Sequence, residues 1–156
     1  MEKKHETLST MDEMMPLMAE TLSLGRSVRF SPKGTSMMPM LRQGRDSVVL
    51  SPAPKNLNRY DLPLYRRDNG QYVLHRIIQA GETYTCMGDN QFLPEPGIRR
   101  DQIIGVVTAF YRKDTRIPVT ALTHRLYCRF WHHSRLIRRF YRRAVSWLRR
   151  HTPRLK

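Results

Sequence analysis

Between residues 26 and 118 the sequence is a series of short β-type runs, at 27–30, 47–50, 62–66, 72–78, 83–87 and 103–111. Turn formers punctuate them: Pro32-Lys33-Gly34, Pro52-Ala53-Pro54, Asp68-Asn69-Gly70, Ala80-Gly81 and Pro94-Glu95-Pro96-Gly97. Asn69-Gly70 joins the runs at 62–66 and 72–78, and that dipeptide favours the tight turn of a hairpin. The runs show no βαβ alternation and no internal repeat. Short strands at this spacing imply a mainly β unit, a small antiparallel barrel or sandwich over residues 26–118.

Two flanks complete a three-part organisation of 1–25, 26–118 and 119–156. Residues 10–24 read as a helix. Thr10 with Glu13 fits a capping box, and Gly25 supplies the stop. Pro16 is an awkward interior residue that kinks or shortens it. Its face of Met11, Met14, Met15, Met18, Leu17 and Leu22 is expected to pack on the body, the alternative being a membrane- or partner-facing helix. Residues 122–150 read as one long amphipathic helix. Leu122, Leu126, Phe130, Ile137, Phe140, Tyr141, Ala144 and Leu148 share one face and arginines line the other.

Charge sits mainly in that last segment. The 156-residue, 18.5 kDa chain carries a formal +15, yet residues 120–156 hold ten Arg, one Lys and no acid. The remainder is nearly balanced. Such asymmetry calls for an anionic partner, either lipid headgroups or nucleic acid. The two cysteines, Cys86 and Cys128, are too few for a disulfide framework or a four-Cys metal site. The expectation is therefore no metal and no cofactor. No apolar run approaches the ~18 residues that span a bilayer, and the opening Met1-Glu-Lys-Lys-His-Glu leads into no apolar signal region. The expectation is a cytoplasmic chain, peripheral at the membrane.

Three stretches could carry chemistry. In Gly34-Thr35-Ser36, a serine set on a glycine turn can supply both a nucleophile and, through its N–H, an oxyanion donor. Serines in Gly/Pro loops are common, so the stretch says little alone. In Tyr72-Val73-Leu74-His75-Arg76-Ile77-Ile78, His75 is either a satisfied histidine in an apolar strand or a general base. Gly88-Asp89-Asn90 is, by itself, an ordinary turn.

In this order and spacing the stretches resemble type I signal peptidases, within the superfamily that also holds LexA-like self-cleaving repressors. Gly34-Thr35-Ser36-Met37-Met38-Pro39-Met40-Leu41 is similar to the motif bearing the family's nucleophile. Gly44-Arg45-Asp46-Ser47-Val48-Val49-Leu50 and Tyr60-Asp61-Leu62-Pro63-Leu64-Tyr65 resemble the Asp-led strands that follow. His75-Arg76 resembles the endoplasmic-reticulum and archaeal variant of the base segment. Gly88-Asp89-Asn90 and Ile103-Ile104-Gly105-Val106-Val107 close the series, so the likeness covers about residues 28–112.

The resemblance implies a serine endopeptidase that cleaves a precursor protein or signal peptide through an acyl-enzyme. Ser36 would be the nucleophile and His75 the base, with Asp89 orienting His75 or holding its loop and Arg76 bracing the site. The family sometimes places a hydroxyl two residues before the nucleophile. Here Gly34 stands there, so the second oxyanion donor is backbone or absent. The chain also departs from the family in showing no amino-terminal anchor and no extra β domain. After Gly88-Asp89-Asn90 the one nearby acid is Glu95, in a Pro-rich turn.

The competing reading is a catalytically silent binding or regulatory protein on the same fold, its tail binding membrane or nucleic acid. A purely RNA-binding protein fits the charge but leaves the motif order unexplained. A LexA-like repressor is disfavoured, because 25 residues before the β unit are too few for a helix-turn-helix domain. Ala80-Gly81, although it resembles a self-cleavage dipeptide, follows the base. For residues 120–156, reversible attachment to an anionic membrane is expected ahead of simple packing, with nucleic acid behind.

Overall fold

A computed structural model describes residues 11–151. Its elements are α1 (Met11–Ser23), β1 (Val28–Phe30), β2 (Asp46–Ser51), β3 (Pro63–Arg66), β4 (Tyr72–Leu74), β5 (Arg76–Gln79), β6 (Tyr84–Met87), β7 (Glu95–Ile98), β8 (Ile103–Arg112), β9 (Thr115–Pro118), α2 (Leu122–His133) and α3 (Arg135–His151). The fold is mainly β, with helices at both ends.

The larger sheet has the order β1-β2-β8-β3-β4, with β9 also paired to β8. Every pairing is antiparallel. The ten-residue β8 is its spine: side chains alternate across a strand, and register shifts that skip Ile104 and Thr108 bring Ile103 and Val106 to one face and Val107 and Phe110 to the other, so the two faces feed two cores. Val107 and Phe110 join Phe30, Val48, Leu50, Leu62, Leu64 and Leu74 in one cluster. Ile103 and Val106 join Tyr65, Ile77, Tyr84 and Cys86 in the other. That second cluster lies against the smaller sheet, β5-β6-β7.

The Asn69-Gly70 hairpin forms as expected, with Leu64 opposite Leu74 and Tyr65 opposite Val73. Met15, Met18 and Leu22 of α1 are buried in the first cluster, while Leu17 is exposed. The helix runs through Pro16. The expected cap at Thr10 and the Met11 side chain lie outside the described residues.

The expected small barrel or sandwich takes the form of two antiparallel sheets with no closed barrel, β1 and β4 each pairing on one side only. Three expectations need correction. The expected strand 72–78 is two strands: β4 belongs to the large sheet and β5 to the small one, and His75 is the residue between them. The Pro-rich turn at 94–97 is largely β7, an edge strand, the position where a proline's missing N–H costs no ladder bond. A further strand, β9, also forms.

The third correction concerns the long C-terminal helix, which breaks at Ser134 into α2 and α3. The Trp131 carbonyl, which a continuous helix would use internally, accepts instead from Arg138 Nη2 at 2.7 Å and Ser134 Oγ at 3.3 Å. His124 and Cys128 turn into the body, whereas Leu122, Leu126 and Phe130 face solvent.

Leu64, 1% exposed in the first cluster, and Leu126, exposed on α2, give a contrasting pair. Leu64→Ala should cost ~2–5 kcal/mol in urea denaturation, and Leu126→Ala should stay within ~0.5 kcal/mol. Equal costs would mean that the packing described here is wrong.

Candidate active site

The chain leaves β1 through Pro32 and turns at Gly34, whose φ of 91° is open to glycine and strained for other residues. The turn is fixed by the Gly34 N–H donating to Gln43 Oε1 at 2.7 Å. Two further bonds, Met38 N–H to Thr35 O and Leu41 N–H to Met37 O, hold the loop beyond. Among the described residues the Ser36 N–H has no hydrogen-bond partner. The Gly34 N–H, by contrast, is engaged by Gln43 and is not free to serve as a second oxyanion donor.

The Gly88-Asp89-Asn90 turn cradles this loop. The Asn90 N–H donates to Ser36 O at 2.8 Å, and Asn90 Nδ2 donates to Thr35 O at 3.1 Å. A Cβ on Gly88 would come within 2.6 Å of Ser36 O, so only glycine lets the two turns approach this closely.

Asp89 does not touch His75. Its two carboxylate oxygens accept from Arg76 Nε and Nη2, both at 2.8 Å, and its Oδ2 also accepts from the Tyr127 hydroxyl at 3.2 Å. Of the two roles the resemblance allowed it, these contacts are those of holding the loop. Arg76 reaches further, donating to Tyr60 O, Cys128 Sγ and Met40 Sδ. Burial alone would lower its pKa, but the charge and hydrogen bonds of Asp89 reverse this and keep the guanidinium protonated.

His75 is 4% exposed. Its Nδ1 lies 3.4 Å from the Tyr65 hydroxyl and 3.9 Å from Glu95 Oε2. Tyr65 donates to Glu95 Oε2 at 2.8 Å, and Arg67 forks onto both Glu95 oxygens at 2.6 Å. Tyr65, Arg67 and Glu95 are therefore the residues beside the imidazole that sequence reasoning missed as a group. Tyr65 and Arg67 are two apart at the end of a strand, a spacing that puts both on one face and could have flagged them. Glu95 was obscured by the prolines on either side.

Burial lowers the His75 pKa to about 4, with Glu95 opposing the shift and Arg67 adding to it. Glu95 is held below the usual carboxylate range, chiefly by its hydrogen bond from Arg67. The site thus pairs a neutral imidazole with an ionised carboxylate.

Ser36 and His75 line one cavity of about 480 Å³. The loop after β1 contributes Lys33, Gly34 and Met37 to it, and β4 contributes Tyr72 to Leu74. The cavity therefore lies along the seam that the curled sheet leaves open. No hydrogen bond joins Ser36 Oγ to His75 among the described residues. Nor do three His, Cys, Asp or Glu side chains gather there as a metal-binding group. Neither the protein-family models nor the curated proteins compared with this chain match it.

His124, buried beside Cys128 and Phe110, shares the low pKa of His75, also about 4 and also through burial. For both, the unfolded imidazole binds its proton near pH 6.5 while the folded one resists until about pH 4. Stability is therefore full above the unfolded value and falls as pH drops below it. The slope should be ~1.4 kcal/mol per pH unit for each histidine. Urea midpoints between pH 6.5 and 5 read this directly, and His124→Phe should remove that histidine's share of the slope. A flat profile across that range would mean neither histidine is held neutral by the fold.

Proposed function

We propose that the chain is a serine endopeptidase resembling signal peptidase I, with Ser36 as nucleophile and His75 as general base, cleaving a precursor protein or signal peptide. The observation that carries this reading is the shared cavity. It brings together a serine on a glycine turn, whose N–H is unengaged, and a buried neutral histidine from the opposite edge of the sheet.

In this reading His75 takes the Ser36 hydroxyl proton as Oγ attacks the scissile carbonyl carbon. The Ser36 N–H stabilises the oxyanion. Collapse breaks the C–N bond, the leaving amine takes the proton from His75, and water then hydrolyses the ester by the reverse proton path.

With Nδ1 directed at Tyr65 and Glu95, Nε2 is the nitrogen left for Ser36. Desolvation makes His75 a weak base at rest. The nearby Glu95 carboxylate opposes that penalty as the imidazolium forms, and Tyr65 and Arg67 hold the carboxylate in place. Glu95 is thus a positioning residue in the role the resemblance had considered for Asp89. The substrate would lie extended along the unpaired edge of β4, where strand backbone groups remain for it. The reading places the enzyme in the cytoplasm, where its two free buried thiols, Cys86 and Cys128, stay reduced.

The alternative, a non-proteolytic binding protein on the same fold, draws support from the missing Ser36–His75 hydrogen bond. A serine-reactive acylating probe separates the two. Labelling of the native chain, lost in Ser36→Ala and cut by ~10²-fold or more in His75→Ala, is expected of a peptidase. No labelling of the native chain would end the peptidase reading. For an active chain, kcat/KM should hold down to about pH 5 and fall through a pKa of about 4, well under the ordinary histidine range. Glu95→Gln should lower kcat and move that acid limb to still lower pH, because its charge raises the His75 pKa. An acid limb that stays put in Glu95→Gln would remove Glu95 from the mechanism.

A further inference from the structure

The helices α2 and α3 dock the wrong way round for a surface helix. A helix on a globular protein ordinarily buries its apolar stripe and shows water its charges. Here the side turned to the body is polar and aromatic. Trp131 Nε1 donates to Asp89 O at 2.6 Å, Arg138 Nη1 donates to the same carbonyl at 3.3 Å, and the Arg138 guanidinium stacks 3.8 Å from the Trp131 ring. Large apolar side chains are left exposed, Leu126 57%, Phe130 71%, Ile137 73%, Phe140 66% and Tyr141 70%, alongside exposed Arg125, Arg129, Arg139 and Arg143.

Every formal charge on these helices is positive, since the last acid in the sequence is Asp114. Arg139, Arg143 and Arg150 line a shallow groove with Phe140, Ala144, Trp147 and, from the body, Phe92, so cations lie beside Phe140 of the stripe. A matching surface must be both apolar and anionic. Nucleic acid supplies the charge but would leave Ile137 and Phe140 in water. A second copy of the chain would cover the stripe but bring two cationic helices together. The boundary between acyl chains and anionic headgroups supplies both. No helix among the described residues is long and apolar enough to cross a membrane. The helices would therefore lie in the plane of the surface.

We propose that the outward face of α2 and α3 is a docking surface for an anionic lipid bilayer. The proposal stands apart from the peptidase reading, because it is measured by binding and needs no turnover. The test is cosedimentation of the full chain with vesicles of phosphatidylcholine alone or mixed with phosphatidylglycerol. Binding to the mixed vesicles should exceed binding to the neutral ones by about tenfold or more. The double variant Ile137→Ser/Phe140→Ser should weaken it by at least about tenfold, with circular dichroism unchanged. Arg139→Gln/Arg143→Gln should reduce the preference for anionic vesicles without lowering binding to neutral ones. Three results would overturn the proposal: the apolar variant binding as well as the native chain, a duplex or single-stranded RNA probe binding more tightly than the mixed vesicles, or a native dimer that the apolar variant abolishes.

Discussion

Arg76 and Asp89 lie 3% and 4% exposed, and the rest of the site is arranged around their contact. Arg76 is the first residue of β5 and follows His75 directly, so fixing its guanidinium fixes the backbone from which the imidazole projects. Asp89 sits in the turn that cradles Ser36 O through the neighbouring Asn90 N–H. One ion pair thus sets the distance between the strand bearing the histidine and the loop bearing the serine. Met40, Tyr60 and the adjacent Tyr127 and Cys128 of α2 complete its hydrogen bonding from three other segments. An ion pair this buried offsets its desolvation only when it is fully satisfied, and removing one partner of such a pair costs ~3–5 kcal/mol. That makes Arg76–Asp89 a device of geometry more than of net stability.

The proposed base works under opposed demands. Burial keeps His75 neutral and able to accept a proton, but the same burial resists the cation that acceptance creates. The group of Tyr65, Arg67 and Glu95 eases that conflict. Arg67 keeps Glu95 ionised, and the Tyr65 hydroxyl bridges toward Nδ1, so a carboxylate charge is present near the ring without a direct contact closer than 3.9 Å. Because Arg67 also opposes charging of the imidazole, the balance between the two neighbours, not either alone, sets the pH at which His75 titrates.

The fold was legible in the sequence where local signals were strong. Asn69-Gly70 named its hairpin, Gly25 ended its helix, and the apolar run around Val107 marked the central strand. Ser36, Gly34, His75, Arg76 and Asp89 were all named from sequence, and the structure gathers them into two neighbouring turns and one strand junction. What sequence could not give was partnership. Nothing local distinguishes an aspartate that holds an arginine from one that orients a histidine, since both depend on residues brought from afar by the sheet. The break at Ser134 was hidden for the same reason, because the Trp131 carbonyl there accepts from the Arg138 side chain seven residues on. Periodicity in the C-terminal segment says which residues would share a face and not which way that face points.

A sheet left open at both ends carries a hazard as well as a cleft, because unpaired strand edges invite other chains to add on and grow into aggregates. Here the edge strands β1 and β4 are three residues each, and β9, paired only with β8, is four. Pro32 follows shortly after β1, and the chain crosses into the second sheet at His75 immediately after β4. All three are too short to template a long strand, and β1 and β4 end abruptly. The seam therefore suits a brief extended visitor while denying continuous growth, and lengthening either edge should trade solubility for reach.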